Sequence, residues 1–356
     1  MSMRTPLTGP SVWLGSDIIH SRRWIRDLPP GAAAEIDAAL QGVKRRGLEW
    51  SSITKADFPL PSLGALFDDV REELEDGSGM VKLRGIPVEK YSEDELRQLY
   101  FGIGQNLGTP VYQNRSGELM RFIRDEGAHV GRTYGQVQTM DAGGQSGTFL
   151  SSYARTLTNN LLRFHTDRTD VVGLLCVRQA KAGGVSRLCS TGAIHNAILA
   201  KRPDLLDVLF EDFYRSRLGE ESKDPATVYK LPIFGLREGR LTSHYSLTFI
   251  EAAEMVPGVP KLTPAQREAI DMLMATAEEL AFEMTLEPGD LQLINSHVTY
   301  HGRTAFTDEF ESGHSRLLMR LWLTMPNNRA LPQGHEVLWR EIEAGRPRGG
   351  IAQVAA

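Results

Sequence analysis

The sequence predicts a mainly β protein with helices outside the strands, organised as one main domain. Several short segments alternate apolar and polar residues or form short apolar runs, and turns containing glycine or proline separate them. Between these segments lie stretches with helical spacing, and the chain shows no internal repeat and no low-complexity tract. The predicted strands and hairpin cover residues 80–86, 164–176, 186–189, 233–241, 291–295 and 316–324.

Capping residues mark the start of two predicted helices. Ser92 and Glu95 form a capping box ahead of a helix over residues 96–107. Thr263 and Gln266 do the same for a long helix that begins at residue 264, whose apolar residues up to Met284 share one face. Three further helices are predicted over residues 63–74, 192–199 and 203–210.

The length of 356 residues allows one or two domains, and the patterning favours one. Residues 1–62 show little periodicity and are expected to be an extension packed on the core. Residues 63–344 form the main domain, and the Gly/Pro-rich residues 345–356 are expected to be a flexible tail. Residues 127–147 are rich in Gly, Thr and Gln, which is typical of a long loop, and we expect this loop to act as a lid.

Composition excludes several classes of function. Forty basic residues against 45 acidic ones give a net charge of -5, so no overall positive field would attract nucleic acid or anionic lipid. Two cysteines are too few for a disulfide scaffold or a cysteine-built zinc site. No apolar run is long enough to span a bilayer, and no signal peptide is recognisable. We therefore expect a cytoplasmic globular protein with neither nucleic-acid nor membrane partners.

The first candidate site is the triplet His165-Thr166-Asp167. If residues 164–170 form a strand, His165 and Asp167 project from the same face, about 6.6 Å apart along the backbone. An imidazole and a carboxylate so placed can bind one metal ion, and a second histidine would complete a 2-His-1-carboxylate triad for Fe(II). The alternative is a surface strand with a salt-bridged histidine.

A second segment, residues 295–304, offers two histidines, His297 and His301, and an arginine pair follows it. Arg316 and Arg320 share one face of the predicted strand, opposite a row of apolar residues. Arginines inside a β core are costly unless they meet anions, and a guanidinium binds a carboxylate through two parallel hydrogen bonds. The alternative is an edge strand with two exposed arginines.

The sequence resembles the taurine dioxygenase (TauD/TfdA) family in the order of four motifs. These are the H-T-D triplet, the glycine pair 183–184 with Ser186 after it, the distal histidine and the R-x-x-x-R pair. The resemblance covers roughly residues 80–322. It implies a double-stranded β-helix (jelly-roll) core. It also implies Fe(II), 2-oxoglutarate as cosubstrate, and O2, with hydroxylation of an unactivated C–H bond and release of succinate and CO2.

The resemblance implies roles for individual residues. His165, Asp167 and His301 match the metal ligands, and Arg316 matches the arginine that binds the distal carboxylate of 2-oxoglutarate. Ser186 stands where the family usually has threonine, so its hydroxyl is expected to assist that carboxylate.

The resemblance further implies a substrate pocket. Arg320 matches a substrate-facing arginine, which points to a small carboxylate- or amino-acid-like substrate. Asn160 and His244 are further candidates for substrate contact, although the spacing around Asn160 departs slightly from the family pattern. His297 is expected to be a hydrogen-bonded structural histidine. The sequence also allows a homo-oligomer.

A protein of a different class could keep this fold and work as a metal-dependent lyase or isomerase, or as a non-catalytic binder. Succinate formation that needs both Fe(II) and O2 separates the oxygenase from these alternatives. Halogenases of similar pattern replace the carboxylate ligand with a small residue, so the presence of Asp167 favours hydroxylation.

Overall fold

The computed structural model describes residues 3–127, 137–140, 146–149, 155–217 and 228–353. The helices are α1 (Gly15–Ile18), α2 (Ala32–Arg46), α3 (Gly64–Glu75), α4 (Glu93–Leu107), α5 (Thr191–Lys201), α6 (Pro203–Leu209), α7 (Leu247–Ala253), α8 (Pro264–Leu280) and α9 (Glu336–Trp339). In the first part of the chain the strands are β1 (Ile25–Asp27), β2 (Met80–Arg84), β3 (Thr109–Pro110), β4 (Met120–Ile123), β5 (Val137–Met140), β6 (Ser146–Phe149), β7 (Leu162–His165), β8 (Val171–Arg178), β9 (Ala182–Gly183) and β10 (Ser186–Ser190). The later strands are β11 (Asp212–Ser216), β12 (Val228–Pro232), β13 (Phe234–Arg237), β14 (Arg240–Ser243), β15 (Phe282–Met284), β16 (Leu291–Asn295), β17 (Thr299–Arg303), β18 (Phe306–Thr307) and β19 (Leu317–Thr324).

Two sheets form the core. The larger has the strand order β1-β2-β16-β8-β19-β3, with β4 also paired to β19, and the smaller has the order β15-β10-β17-β7. Apart from the parallel pair β1–β2, every pairing in these two sheets is antiparallel. Apolar side chains of both sheets meet between them, among them Val172, Ile294 and Leu318 from the larger and Leu188 and Phe282 from the smaller. The predicted jelly-roll core with flanking helices is confirmed.

Helices cover the outer faces of both sheets, as the sequence predicts. On the larger sheet, α2, α3 and α4 pack their apolar faces against alternate residues of β16 and β19, such as Leu293 and Met319. On the smaller sheet, α5, α6 and α8 pack against Cys189 and Tyr300. The side chains of successive strand residues therefore point to opposite faces of the sheet, and both faces are buried. The even-numbered residues of β19 point between the sheets.

Local signals in the sequence place most elements correctly. Both capping boxes are present, with Ser92 accepting from the Glu95 backbone and Thr263 accepting from the Gln266 backbone. The predicted hairpin turns at Glu238-Gly239, where φ is 53° and 77°. Two successive residues with positive φ are typical of the two-residue turn that matches strand twist.

The N-terminal extension contains more structure than its weak periodicity indicates. Helix α2 is 15 residues long, and its Ile36, Leu40 and Val43 are fully buried against the core. Weak periodicity in the sequence therefore did not reveal this helix. The boundary between extension and main domain at residue 62 stays a prediction.

The C-terminal segment also differs from expectation. Arg348, Gly349, Gly350 and Ile351 are buried, and Arg348 forms an ion pair with Asp170 at 2.7 Å. This part of the predicted flexible tail is therefore packed into the molecule. The predicted lid, residues 127–147, lies mostly outside the described residues. None of the described helices has both the length and the apolar character needed to cross a membrane.

Candidate metal centre and adjoining pockets

Three buried side chains converge between the two sheets. His165, the last residue of β7, lies directly opposite His301 of β17 in the antiparallel register. Asp167 follows two residues later, with Oδ1 3.7 Å from His165 Nε2 and Oδ2 3.9 Å from His301 Nε2. One potential ligand atom from each residue lies within 4.8 Å of the other two. This is the arrangement that a facial triad requires.

The local backbone differs from the prediction, although the side chains meet. Residues 164–170 are not one strand, because β7 ends at His165 and β8 begins only at Val171. Asp167 therefore lies in the connection between two strands of different sheets. Its carboxylate reaches His165 from this connection, whereas the prediction placed both side chains on one strand face.

Neighbouring groups orient the three side chains. His165 Nδ1 lies 2.9 Å from the Arg163 carbonyl oxygen, so Nδ1–H donates and Nε2 keeps its lone pair for a metal. The Trp322 indole N–H donates to Asp167 Oδ2 at 2.9 Å. Within the described part of the chain, His301 Nδ1 has no hydrogen-bond partner. Nε2 is the ring nitrogen that faces Asp167 Oδ2, so a metal shared with Asp167 would bind His301 through Nε2.

Burial and charge fix the protonation of the set. Burial lowers the pKa of His165, and burial together with the neighbouring imidazole lowers the pKa of His301 to about 3. Burial alone would raise the pKa of Asp167, but Arg320, the two histidines and the Trp322 N–H outweigh it and hold that pKa below its usual value. At neutral pH the set is two neutral imidazoles and one carboxylate, which suits a divalent cation.

A cavity of about 460 Å³, including its open part, extends from His165 and His301 to Arg316. Arg316 is buried, and burial lowers its pKa to about 10, so it stays cationic at neutral pH. Its Nη1 has no hydrogen-bond partner among the described residues. Ser186 lines the same cavity, and its hydroxyl donates to Gln292 Oε1 at 3.0 Å. We call this space the Arg316 cavity.

A second cleft, of about 620 Å³ including its open part, adjoins the triad through His165 and Asp167. Arg320 lines this cleft, and its Nε donates to Gln113 Oε1 at 2.8 Å. Its Nη1 lies 3.7 Å from Asp167 Oδ2. A fixed guanidinium is thereby placed beside the candidate metal position. We call this space the Arg320 cleft.

Of the remaining sequence candidates, the structure brings His244 to the site but not Asn160. His244 lines the Arg320 cleft, and its Nδ1 lies 3.2 Å from Thr166 Oγ1. Burial, followed by nearby arginines, lowers the pKa of His244 well below the usual range, so the ring is neutral. Asn160 is not brought to the site: its side chain is exposed, and its carbonyl oxygen accepts from Arg303. His297 bonds to Asp170 and Thr242, as expected for a structural histidine.

Sequence reasoning missed three residues that shape the site. Trp322 follows the arginine pair on the same face of β19, so strand alternation could have identified it. Gln113 lies just after β3, and Gln292 is a single polar residue inside β16. No motif marks either glutamine, because their partners are far away in the chain.

Comparison with known proteins agrees with this geometry. Residues 44–322 match the family model described as taurine catabolism dioxygenase TauD, TfdA family. The chain is 32% identical over 339 residues to FR-33289 synthase of Streptomyces rubellomurinus, which covers 93% of this chain and 94% of the relative. It is 26% identical over 322 residues to the taurine hydroxylase-like protein SAT17 of Stachybotrys chartarum, covering 88% and 79% of the two chains.

Solved structures show the same fold. An asparagine oxygenase in complex with Fe(II), 3-hydroxyasparagine and succinate superposes with a TM-score of 0.62 at 16% identity, covering 85% of this chain and 93% of that one. The non-heme iron oxygenase OrfP, in complex with Fe and alpha-ketoglutaric acid, gives 0.60 at 18% identity, covering 84% and 94%. The match of the family model over most of the chain, together with the converging triad, establishes that the protein belongs to the taurine catabolism dioxygenase TauD, TfdA family and is an Fe(II)- and 2-oxoglutarate-dependent dioxygenase that uses O2.

Proposed function

We propose that this dioxygenase hydroxylates a small, anionic, amino-acid-like molecule bound in the Arg320 cleft. His165, Asp167 and His301 hold the iron, and Arg316 binds the distal carboxylate of 2-oxoglutarate. The observation that carries the proposal is that two separate cavities meet at the triad, and each contains a buried arginine. One cavity fits the cosubstrate and the other fits the substrate.

The protein positions the reactants and excludes water. Iron, when bound, supplies chelation of the 2-oxo acid and activation of O2. The triad carries a single negative charge, which leaves net positive charge at Fe(II) for a dianionic cosubstrate. Ile123, Leu174 and Leu318 line the Arg316 cavity and keep it apolar except at its polar anchors. In such a dry cavity a guanidinium–carboxylate contact is stronger than it is in water.

Arg320 is the anchor for the substrate. Gln113 accepts from the Arg320 guanidinium Nε at 2.8 Å, and its own amide is oriented by donating to the Arg320 backbone carbonyl at 2.9 Å. A substrate carboxylate paired with Arg320 would present its neighbouring carbons towards the triad. The amino-acid products named in the asparagine oxygenase and OrfP structures support this class of substrate. The reaction inserts one oxygen atom of O2 into a C–H bond and the other into succinate, and CO2 leaves from C1 of 2-oxoglutarate.

A substrate screen tests the proposal. Free and N-substituted amino acids and other small carboxylates are incubated with Fe(II), 2-oxoglutarate and O2, and succinate and hydroxylated product are measured. We expect equal amounts of the two from at least one anionic compound, and none without Fe(II) or O2. Tight metal binding without succinate from any compound would instead favour the lyase, isomerase or binder.

The proposal also includes the cellular compartment and the oligomeric state. Both cysteines, Cys176 and Cys189, are buried free thiols, which supports a reducing compartment, and we propose the cytoplasm. A homo-oligomer stays a prediction, which light scattering of the purified protein would test.

A further inference from the structure

Gln292 is a buried polar residue on the face of β16 that points between the sheets. It lies on β16 opposite Leu174 of β8, and Ile294 points from the same strand into the core between the sheets. Its side chain is 1% exposed and lines the Arg316 cavity. Burying a carboxamide here costs free energy unless its donors and its acceptor are satisfied.

Only one half of this carboxamide is satisfied. Oε1 accepts from the Ser186 hydroxyl at 3.0 Å, which fixes the plane of the amide. Nε2 has no hydrogen-bond partner in the part of the chain that the structure describes. The Ser186 contact therefore leaves an oriented N–H donor that lines the cavity.

Two further unsatisfied donors belong to residues that line the same cavity. Arg316 Nη1 and Arg303 Nε are buried and unpartnered among the described residues, and both side chains line the cavity. None of the described lining residues is a carboxylate. Two guanidinium cations, each with one unsatisfied N–H, and a free amide N–H are complementary to an anion with several oxygen atoms.

We infer that Gln292 donates a hydrogen bond from Nε2 to the distal carboxylate of 2-oxoglutarate, beside Arg316. Ser186 then acts as a positioning residue: its hydroxyl orients the carboxamide and does not itself contact the carboxylate. Gln292 thereby helps to select a 2-oxo acid with a second carboxylate. This inference rests on the proposed function, because it assumes that the Arg316 cavity takes the cosubstrate.

Ligand binding, measured without turnover, tests the inference. The full-length protein is loaded with Fe(II) without O2, and calorimetry measures its affinity for 2-oxoglutarate and for 2-oxopentanoate, which lacks the distal carboxylate. In Gln292→Met, which keeps the side-chain length, we expect 2-oxoglutarate to bind roughly ten- to a hundredfold more weakly. We expect the affinity for 2-oxopentanoate to stay the same, because this ligand makes no contact with the amide.

An equal loss of affinity for both ligands in Gln292→Met would assign Gln292 a structural role and overturn the inference. Unchanged affinity for both ligands would also overturn it. Ser186→Ala should weaken 2-oxoglutarate binding selectively but less than Gln292→Met does. As a matched control, Gln98→Met changes a half-buried glutamine on α4 that bonds to the Leu48 carbonyl, and should alter neither affinity.

A second variant covers the case in which Gln292→Met does not fold. Gln292→Glu keeps the shape of the side chain and should bind 2-oxopentanoate while rejecting 2-oxoglutarate through charge repulsion. Unchanged 2-oxoglutarate binding in this variant would overturn the inference. If the wild-type protein binds neither ligand, the proposed function fails as well. If the wild-type protein binds 2-oxoglutarate but the variants show no selective loss, only the inference fails and the proposed function stands.

Discussion

The Asp167 carboxylate interacts both with the other residues of the triad and with residues of the Arg320 cleft. Its Oδ1 faces His165, whereas its Oδ2 accepts from the Trp322 indole and lies 3.7 Å from Arg320 Nη1. The same charge therefore completes the proposed metal site and compensates the arginine of the neighbouring cleft. Removing the charge leaves a buried guanidinium next to two imidazoles, which is unfavourable.

Asp167→Ala should abolish succinate formation and weaken iron binding, because it removes one of the three proposed ligands and the only negatively charged one. Turnover is measured by succinate release, and iron affinity by anaerobic titration of the metal-free protein. Asp212→Ala removes an exposed carboxylate from β11 and should change neither quantity. Normal turnover in Asp167→Ala would refute the ligand assignment.

Trp322→Phe should raise the dissociation constant for iron by about tenfold, since loss of a hydrogen bond to a ligating side chain has effects of this size. The variant keeps an aromatic ring and removes only the N–H that orients Asp167. Trp24→Phe is the matched control, because Trp24 is a buried indole that donates to the Ile18 carbonyl away from the site. Equal effects of the two substitutions on iron affinity would contradict the positioning role of Trp322.

At the scale of elements, the connection between β7 and β8 carries Asp167 and is held by Asp170. The Asp170 carboxylate accepts from His297, Thr324 and Arg348, at 2.9, 3.0 and 2.7 Å, and also from Asn328 and a backbone N–H. These donors come from the turn before β17, the end of β19 and the C-terminal segment. One buried carboxylate thus joins three parts of the chain directly behind the metal site.

Arg348→Met should lower the free energy of unfolding by about 3–5 kcal/mol, because it removes one partner from a buried ion pair. Denaturant unfolding of the metal-free protein measures the change. The control is Arg346→Met, which alters an exposed arginine of the same segment and should have little effect. A similar stability for both variants would show that the C-terminal segment is not held by Asp170.

The elements that sequence patterns predicted correctly depend on local interactions. The capping boxes at Ser92 and Thr263 and the turn at Glu238-Gly239 satisfy backbone groups within a few residues, so a short stretch of sequence contains the whole signal. The errors involve distant partners. The packing of the C-terminal segment depends on the pairing of Arg348 with Asp170, which is 178 residues away, and no local pattern reports that contact.

At the scale of the whole molecule, net charge and local charge have opposite signs. The chain carries -5 overall, yet the described lining of the Arg316 cavity contains two arginines and no carboxylate. Ordered motifs predicted the triad and both pocket arginines, because each belongs to a recognisable pattern. Gln292 and Gln113 could not be predicted, because a glutamine gains its role only when the fold brings its distant partners to it.

Buried neutral histidines should make the whole fold sensitive to acid. Burial lowers the pKa of His297 and His335 to about 4, against about 6.5 in the unfolded chain. Between these values the unfolded state binds more protons, so stability falls as the pH drops from 6.5 towards 4. We expect a loss on the order of 2 kcal/mol for each histidine between about pH 7.5 and about pH 5.

Urea unfolding of the metal-free protein at these two pH values measures the loss. His335→Gln should reduce the pH dependence, whereas His314→Gln, which changes an exposed histidine, should not. Equal stability of the wild-type protein at both values would contradict the assignment of neutral, buried imidazoles.

The central claim is that His165, Asp167 and His301 hold the iron between two cavities, with the cosubstrate reaching to Arg316. The most direct test is a crystal structure grown without O2 in the presence of Fe(II) and 2-oxoglutarate, with the iron located by anomalous scattering. We predict a single strong peak bound by these three side chains, with the far carboxylate of 2-oxoglutarate on Arg316. Iron bound elsewhere, or a cosubstrate that lies in the Arg320 cleft, would contradict the account.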